Sequence, residues 1–427
     1  DGASLNDPDV QAIPLSPEDR EILAMESDTV AGHTCKIVLL GEGGPDEAAL
    51  RALVAERISD TPALTRRLGG AEDVPAWVLD TGFDLSLHVG DAPLDEPIDR
   101  DEVPGAVAAL FERRLDRDRP LWRIDRLSVR DGGAVLVWRI HHAIADGTTA
   151  MRFAGELLWD PDPGGGASPD RRARAHAADD ARRRGHLAGF LHREFARARD
   201  ASPFDAEIGT RRRVAMVSVP MSELHDAAKE LAGATVNDAV LSAVAGSIRR
   251  WIERHHGALG AIRVKVPVSL HHEGDDAANR DSFFCLELPL NEPDPVARLH
   301  AVREATAVRK ADHDAETMDA VLRDLSRVSP RLERFCQTVE ASPRSFALNV
   351  SNVPGPRRPV SVLGAPVEAL YSIAEIRERH ALRISVVSLA DRLGFGLCAD
   401  PAIVDDLVAM RDGLEVEAAA LIAAADV

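Results

Sequence analysis

The clearest pattern of apolar and polar positions runs from Ala134 to Ile140, where the chain reads AVLVWRI. A nearly unbroken, β-branched run of this length predicts a strand buried on both faces. It stops abruptly at His141 and His142. Three small or apolar residues lead on to Asp146 and Gly147, after which Met151, Phe153, Leu157 and Leu158 recur at helical spacing. Two histidines therefore stand where a buried strand gives way to a loop, a common place for reactive groups in α/β proteins.

Around this element the pattern alternates between helix and strand. Helices are predicted over 17–26, 46–58 (Leu50, Leu53, Val54 and Ile58 on one face) and 103–115, with strands over 34–40 and 122–129. Asp131-Gly-Gly133 predicts a hairpin between 122–129 and the opening strand. Asp160 to Asp170, DPDPGGGASPD, is a Pro/Gly break and the best domain boundary. Beyond it, Arg171 to Arg199 is alanine- and arginine-rich, which reads either as a solvated linker or as a basic patch for a phosphate-bearing ligand or a membrane surface. The second half restarts with strands over 213–219, 262–270 and 282–288. Helices are predicted over 222–231, 235–254 and within 295–340. Strands over 345–350, 360–363, 382–388 and 393–398 follow, before a final helix over 403–423. The expected organisation is an N-terminal domain over 1–160, a linker over 161–210 and a C-terminal domain over 211–427, each a mixed sheet with helices packed on it.

Composition narrows the function classes. At 427 residues two domains are the natural expectation, and 45% hydrophobic with 28% charged residues is globular. The formal charge of −19 argues against nucleic acid and against tight docking on anionic lipid. No apolar run approaches the roughly 20 residues of a membrane-spanning helix, and the first residues show no signal-peptide pattern. Cys35, Cys285, Cys336 and Cys398 are dispersed and form no CxxC pair, which suggests buried thiols in a reducing, cytoplasmic setting.

The chemistry offered by the central element is base catalysis. An alcohol or amine attacking an activated acyl group must lose a proton, and a neutral imidazole with an unperturbed pKa of about 6.5 is suited to take it. A thioester needs no enzyme nucleophile, in keeping with a chain that carries no GxSxG elbow, Walker A loop or GxGxxG fingerprint. Asp146 fixes the turn or pairs with an arginine, and Gly147 leaves room for substrate. Of the other histidine pairs, His255-His256 reads as a helix C-cap. His271-His272 lies in an acidic loop where a metal is conceivable, though such loops usually just face water. No metal or resident cofactor is expected.

HHAIADG resembles the HHxxxDG signature of the bacterial wax ester synthase/acyl-CoA:diacylglycerol acyltransferases, within the superfamily that includes chloramphenicol acetyltransferase and peptide-synthetase condensation domains. LSPEDREILAMES (Leu15 to Ser27), WVLDTGFDLSLHV (Trp77 to Val89), LDRDRPLW (Leu115 to Trp122), TVNDAVL (Thr235 to Leu241), VPVSL (Val266 to Leu270) and SNVPGP (Ser351 to Pro356) resemble further family blocks in family order. The resemblance implies an α/β fold of two chloramphenicol-acetyltransferase-like domains with the active site in a tunnel between them. His142 would be the general base beside His141, and Asp146 mainly structural. Gly147, Asn237, Asp238 and Asn352 would line the site, either amide assisting the oxyanion. Acyl-CoA would be the donor substrate and an alcohol the acceptor, giving triacylglycerol or wax ester, with peripheral contact to membrane or lipid inclusions. Three places depart from the family: His271 after VPVSL, Ala278-Asn279-Arg280, and Ala374 to Arg383, which by the resemblance would shape the acceptor side. That last stretch and the −19 charge favour the runner-up, a related enzyme acylating a soluble sugar, polyketide or amine. A non-catalytic lipid-binding relative and a metal-dependent hydrolase are the remaining alternatives.

Overall fold

The computed structural model describes residues 12–71, 74–161, 201–269, 281–311, 342 and 345–425. Two compact units emerge, and they are not consecutive halves. Of the described residues, the first unit holds those up to 161 together with 358–375, and the second holds the rest. The division into 1–160 and 211–427 is thus corrected for 358–375, which join the first unit through strand pairing. Among the described residues, no single helix is long and apolar enough to cross a membrane.

The first unit carries a six-stranded sheet and a small antiparallel one. The small sheet orders β1 (Ile13–Pro14), β4 (Val74–Leu79) and β3 (Arg66–Ala71). The large sheet runs β12 (Ser361–Val362), β13 (Ala365–Ala374), β2 (His33–Leu40), β7 (Ala134–His141), β6 (Trp122–Ser128) and β5 (Val89–Asp91). Every residue of β7 is buried, as the AVLVWRI run predicts. The hairpin before it closes at Asp131, whose Oδ1 accepts the Gly133 N–H at 2.9 Å, with Gly132 at φ +85°. Residues 365–374 carry no strand signal in the sequence, yet β13 pairs antiparallel with β2 over most of its length. Lys36 donates to Ser372 Oγ at 2.8 Å across that seam, with both side chains buried.

Helices α1 (Pro17–Ala24), α2 (Glu47–Arg57), α3 (Val103–Phe111) and α4 (Gly147–Leu157) complete the unit. Ser16 caps α1 and Asp46 caps α2, each accepting a backbone N–H from three residues on. Leu50, Leu53 and Val54 of α2 are buried, as their spacing predicts.

The second unit has a mixed sheet in the order β10 (Asp281–Pro289), β9 (Ala261–Ser269), β11 (Leu348–Val353), β14 (Leu382–Leu389), β15 (Arg392–Ala399), β8 (Arg213–Pro220). Strand β11 runs parallel to β9 and β14, and the other pairs are antiparallel. Helices α5 (Met221–Ala232), α6 (Val236–His255), α7 (Pro295–Ala311) and α8 (Leu407–Ala425) pack together beside it. Glu417 of α8 is buried and ion-pairs with Arg298 of α7 and, at 2.5 Å, with Arg250 of α6. Gly246 of α6 makes room, because a Cβ there would overlap both the carboxylate and the Arg298 guanidinium.

Candidate active site

Strand β7 delivers its last residue, His141, into a buried and fully specified position. The Ala143 N–H donates to His141 Nδ1 at 3.1 Å, which leaves the ring proton on Nε2. That nitrogen lies 3.0 Å from Glu26 Oε1, at ion-pair distance though off the ideal hydrogen-bond line. Arg114 and Arg117 approach the other Glu26 oxygen at 3.5 Å each. Burial works to raise the Glu26 pKa, but His141 and the two guanidiniums outweigh it and hold the carboxyl below its usual range.

Gly32 completes this support. Its φ of +73° suits glycine, and a Cβ at this position would sit 2.5 Å from His141 Nε2. The turn containing it is tied to the end of β13, since Ala31 N–H donates to Glu375 Oε2 and Glu375 N–H to the His33 carbonyl. Neither Glu26 nor Gly32 stands out as a site residue from sequence reasoning. Both fall in or beside the LSPEDREILAMES block, and that block is the signal that could have found them.

His142 is half-buried, and its N–H donates to the Gly32 carbonyl at 3.0 Å. The chain then tightens, with Ile144 N–H bonded to the His141 carbonyl. Asp146 is fully buried and caps α4, its carboxylate accepting the Thr149 N–H at 2.6 Å. Gly147 is the first, half-buried residue of that helix. The motif therefore comprises one clamped imidazole, one half-buried imidazole and a helix cap.

The face of β7 that carries His141 is also ionic deeper in. Arg139 and Asp125 form a buried pair at 2.8 Å, Arg139 donates to the Arg113 carbonyl, and Arg123 holds the second Asp125 oxygen at 2.7 Å. His33, opposite His141 in the β2–β7 register, bonds through Nε2 to the Phe111 carbonyl at 2.7 Å. Burial, reinforced by the Arg139 charge, pushes its pKa down to about 3.

In the second unit the structure brings Asn237 and Asn352 together. Asn352 Nδ2 donates to Asn237 Oδ1 at 3.4 Å, joining the start of α6 to the end of β11. Asp238 is engaged otherwise. Its Oδ2 accepts the Thr235 N–H and hydroxyl in a capping box, and its Oδ1 accepts Thr306 Oγ1 at 2.6 Å. Both oxygens thus hold α6 and α7. His255 donates through Nδ1 to the Trp251 carbonyl at 2.8 Å, a C-terminal cap. The His271-His272 loop and the arginine-rich 171–199 segment lie outside the described residues. Among the described residues, no cluster of three or more potential metal-ligating side chains occurs.

Comparison with known proteins places this geometry. The wax ester synthase/diacylglycerol acyltransferase catalytic domain matches residues 15–197, and the WS/DGAT C-terminal domain matches residues 277–421. A probable diacylglycerol O-acyltransferase (tgs1) of Mycobacterium tuberculosis is 26% identical over 414 residues, covering 89% of each chain. A putative diacylglycerol O-acyltransferase of the same organism is 29% identical over 462 residues, covering 94% of each. The wax ester synthase/diacylglycerol acyltransferase of Marinobacter aquaeolei VT8 superposes with a TM-score of 0.70 at 24% identity, over 97% of this chain and 100% of that one. The first condensation domain of the CDA synthetase follows the same fold, with a TM-score of 0.61 at 18% identity over 96% of each chain. Matched in order by both of its domains, the chain belongs to the wax ester synthase/diacylglycerol acyltransferase family.

Proposed function

We propose that this chain is an acyl-CoA-dependent O-acyltransferase that forms triacylglycerol or wax ester, with His142 as the general base. The observation that carries the base assignment is the division of labour within HHAIADG. His141 is buried, with Nδ1 accepting the Ala143 N–H and Nε2 3.0 Å from Glu26, and Asp146 caps a helix, whereas His142 is half-buried, a position that suits contact with substrate.

In this reading His142 takes the hydroxyl proton as the acceptor oxygen attacks the thioester carbonyl. A C–O bond forms and the carbonyl electrons move onto oxygen. Collapse of that oxyanion breaks the C–S bond, and the departing thiolate recovers the proton from the imidazolium. The products are an ester and CoA thiol. Base assistance of this kind is worth about 10²–10⁴ in rate. The named activities of the mycobacterial relatives support a lipid acceptor. Such acceptors reside in membranes or inclusions, so peripheral contact from the cytoplasmic side is part of the same proposal.

The test is thiol release from palmitoyl-CoA by purified protein, with diacylglycerol, hexadecanol or a panel of soluble alcohols. Stimulation by the lipid acceptors and a loss of about 10²-fold or more in a folded His142→Ala protein is expected. Unchanged turnover in that variant would remove His142 from the role. A soluble acceptor is the second reading, favoured by the charged Ala374 to Arg383 stretch, and stimulation only by soluble alcohols would establish it.

A further inference from the structure

His142 ends a row of side chains on one face of the first unit's large sheet. Its N–H still bonds the Gly32 carbonyl, so the β2–β7 ladder runs one residue beyond His141. Side chains alternate along a strand, which puts His142 on the face of Ile140 and Trp138, and His141 on the face of Arg139. On β2, Thr34 and Lys36 share the first of these faces, because they stand opposite Ile140 and Trp138 in register. Thr34 is therefore the diagonal neighbour of His142 on the adjacent strand, at a spacing of about 7–8 Å. One reacting group held between the two side chains spans such a gap.

The buried polar groups of this face divide into two kinds. Lys36 donates to Ser372 Oγ at 2.8 Å, and Trp122, opposite Ile140 on β6, donates through Nε1 to the Leu64 carbonyl at 2.7 Å. By contrast, Thr34 Oγ1 and Trp138 Nε1 are buried without a protein partner among the described residues. Thr34 is 3% exposed, and its in-register neighbours, Ile140 on β7 and Ala374 on β13, offer its hydroxyl nothing. A buried hydroxyl left in this way is costly and calls for a partner. Packing does not account for it, since valine fills the same place between Ile140 and Ala374 without that cost. Trp138 Nε1, which can only donate, adds a second demand for an oxygen on the face that carries His142.

We propose that the Thr34 hydroxyl donates a hydrogen bond to the thioester carbonyl oxygen as that oxygen becomes the oxyanion. The inference rests on the acyltransferase reading with His142 as base. As the acceptor oxygen bonds to the carbonyl carbon, the C=O electron pair moves onto oxygen, and the Thr34 O–H points its hydrogen at that charge. Collapse re-forms the C=O bond and breaks C–S, and the hydroxyl keeps its proton throughout. Thr34 and His142 lie on neighbouring strands of one sheet within the first unit, which holds donor and base in fixed relation. A preorganised donor aimed at developing charge supplies about 10²–10³ in kcat.

The test compares Thr34→Val, which removes the hydroxyl at nearly constant shape, with Thr34→Ser, which keeps it, both in the whole chain. In thiol release from palmitoyl-CoA, with the acceptor that best stimulates the wild type, Thr34→Val is expected to lose about 10²-fold in kcat with little change in KM. Thr34→Ser is expected to retain most of the wild-type kcat. The urea midpoint of Thr34→Val should hold or rise, because a buried hydroxyl without a protein partner is removed. Its pH profile of kcat should keep the wild-type shape, since threonine does not titrate, whereas a displaced His142 would move it. An unchanged kcat in folded Thr34→Val, an equal loss in Thr34→Ser, or a shifted pH profile overturns the proposal. Failure of the acyltransferase reading looks different, because the wild type itself would release no thiol with any acceptor and both inferences would fall together.

Discussion

Gly32→Ala is a one-carbon perturbation aimed at the HHAIADG motif from outside it. The new methyl would stand 2.5 Å from His141 Nε2 and 3.0 Å from Glu26 Cγ, so the ring must retreat by close to an ångström to reach ordinary contact. Two costs add. A positive φ costs an L-residue about 1–2 kcal/mol, and overpacking a buried site costs about 1–3 kcal/mol. The expected loss of stability is therefore about 2–5 kcal/mol. Displacing His141 also strains its bond from Ala143 and shifts the Gly32 carbonyl that holds the His142 N–H. A misplacement of that size near reacting atoms costs about 10²-fold in rate. The control is Gly43→Ala, at φ +82° with nothing within 4 Å of the added methyl, which carries the backbone cost without the clash. Urea unfolding and thiol-release kinetics on both variants decide the matter. If Gly32→Ala matches Gly43→Ala in stability and the wild type in kcat, His141 is not clamped as described and the support argument fails.

Two further outcomes follow from buried charge. His33 and His380 are held neutral, with pKa pushed down mainly by burial to about 3 and about 4. In the unfolded chain both titrate near 6.5, so their stabilisation is complete above that pH and declines as pH falls through 6.5 toward 4, by up to about 1.4 kcal/mol per pH unit per histidine. Urea midpoints at pH 7.5 and 5.0 measure this slope, and a His380→Gln protein with an unchanged slope would remove that residue from the account. Glu417→Ala leaves the Arg298 guanidinium buried without its carboxylate, and a loss of about 3–5 kcal/mol is expected. A loss below 1 kcal/mol in calorimetry or urea unfolding would show that the ion pair does not hold α8 against α6 and α7.

How much was legible in the sequence depended on whether the signal was local. Strand β7 and the helix after it are written in one stretch, as a continuous apolar run, two histidines and an N-capping aspartate. Thr235 and Asp238 likewise sit three apart, the spacing of a capping box. Strand β13 escaped detection because its burial alternates only at its start and is continuous thereafter, so neither period dominates. Its pairing with β2 spans more than 300 residues, and no local periodicity reports such a partner. Glu26 beside His141 was hidden for the same reason, since a carboxylate near the end of a short helix is ordinary until the fold brings an imidazole to it.

The late arrival of β13 also orders events in time. When the chain emerges from the ribosome, β2, β5, β6 and β7 are complete long before residues 365–374 exist. At about 5–20 residues per second the wait is some tens of seconds. Throughout it β2 is an open sheet edge, with Ile37, Val38 and Leu39 flanking unpaired backbone groups that readily recruit another strand. The nascent first unit therefore carries an edge open to pairing until β13 is made. Fragments ending before Ser361 should self-associate through β2, and the intact chain should not.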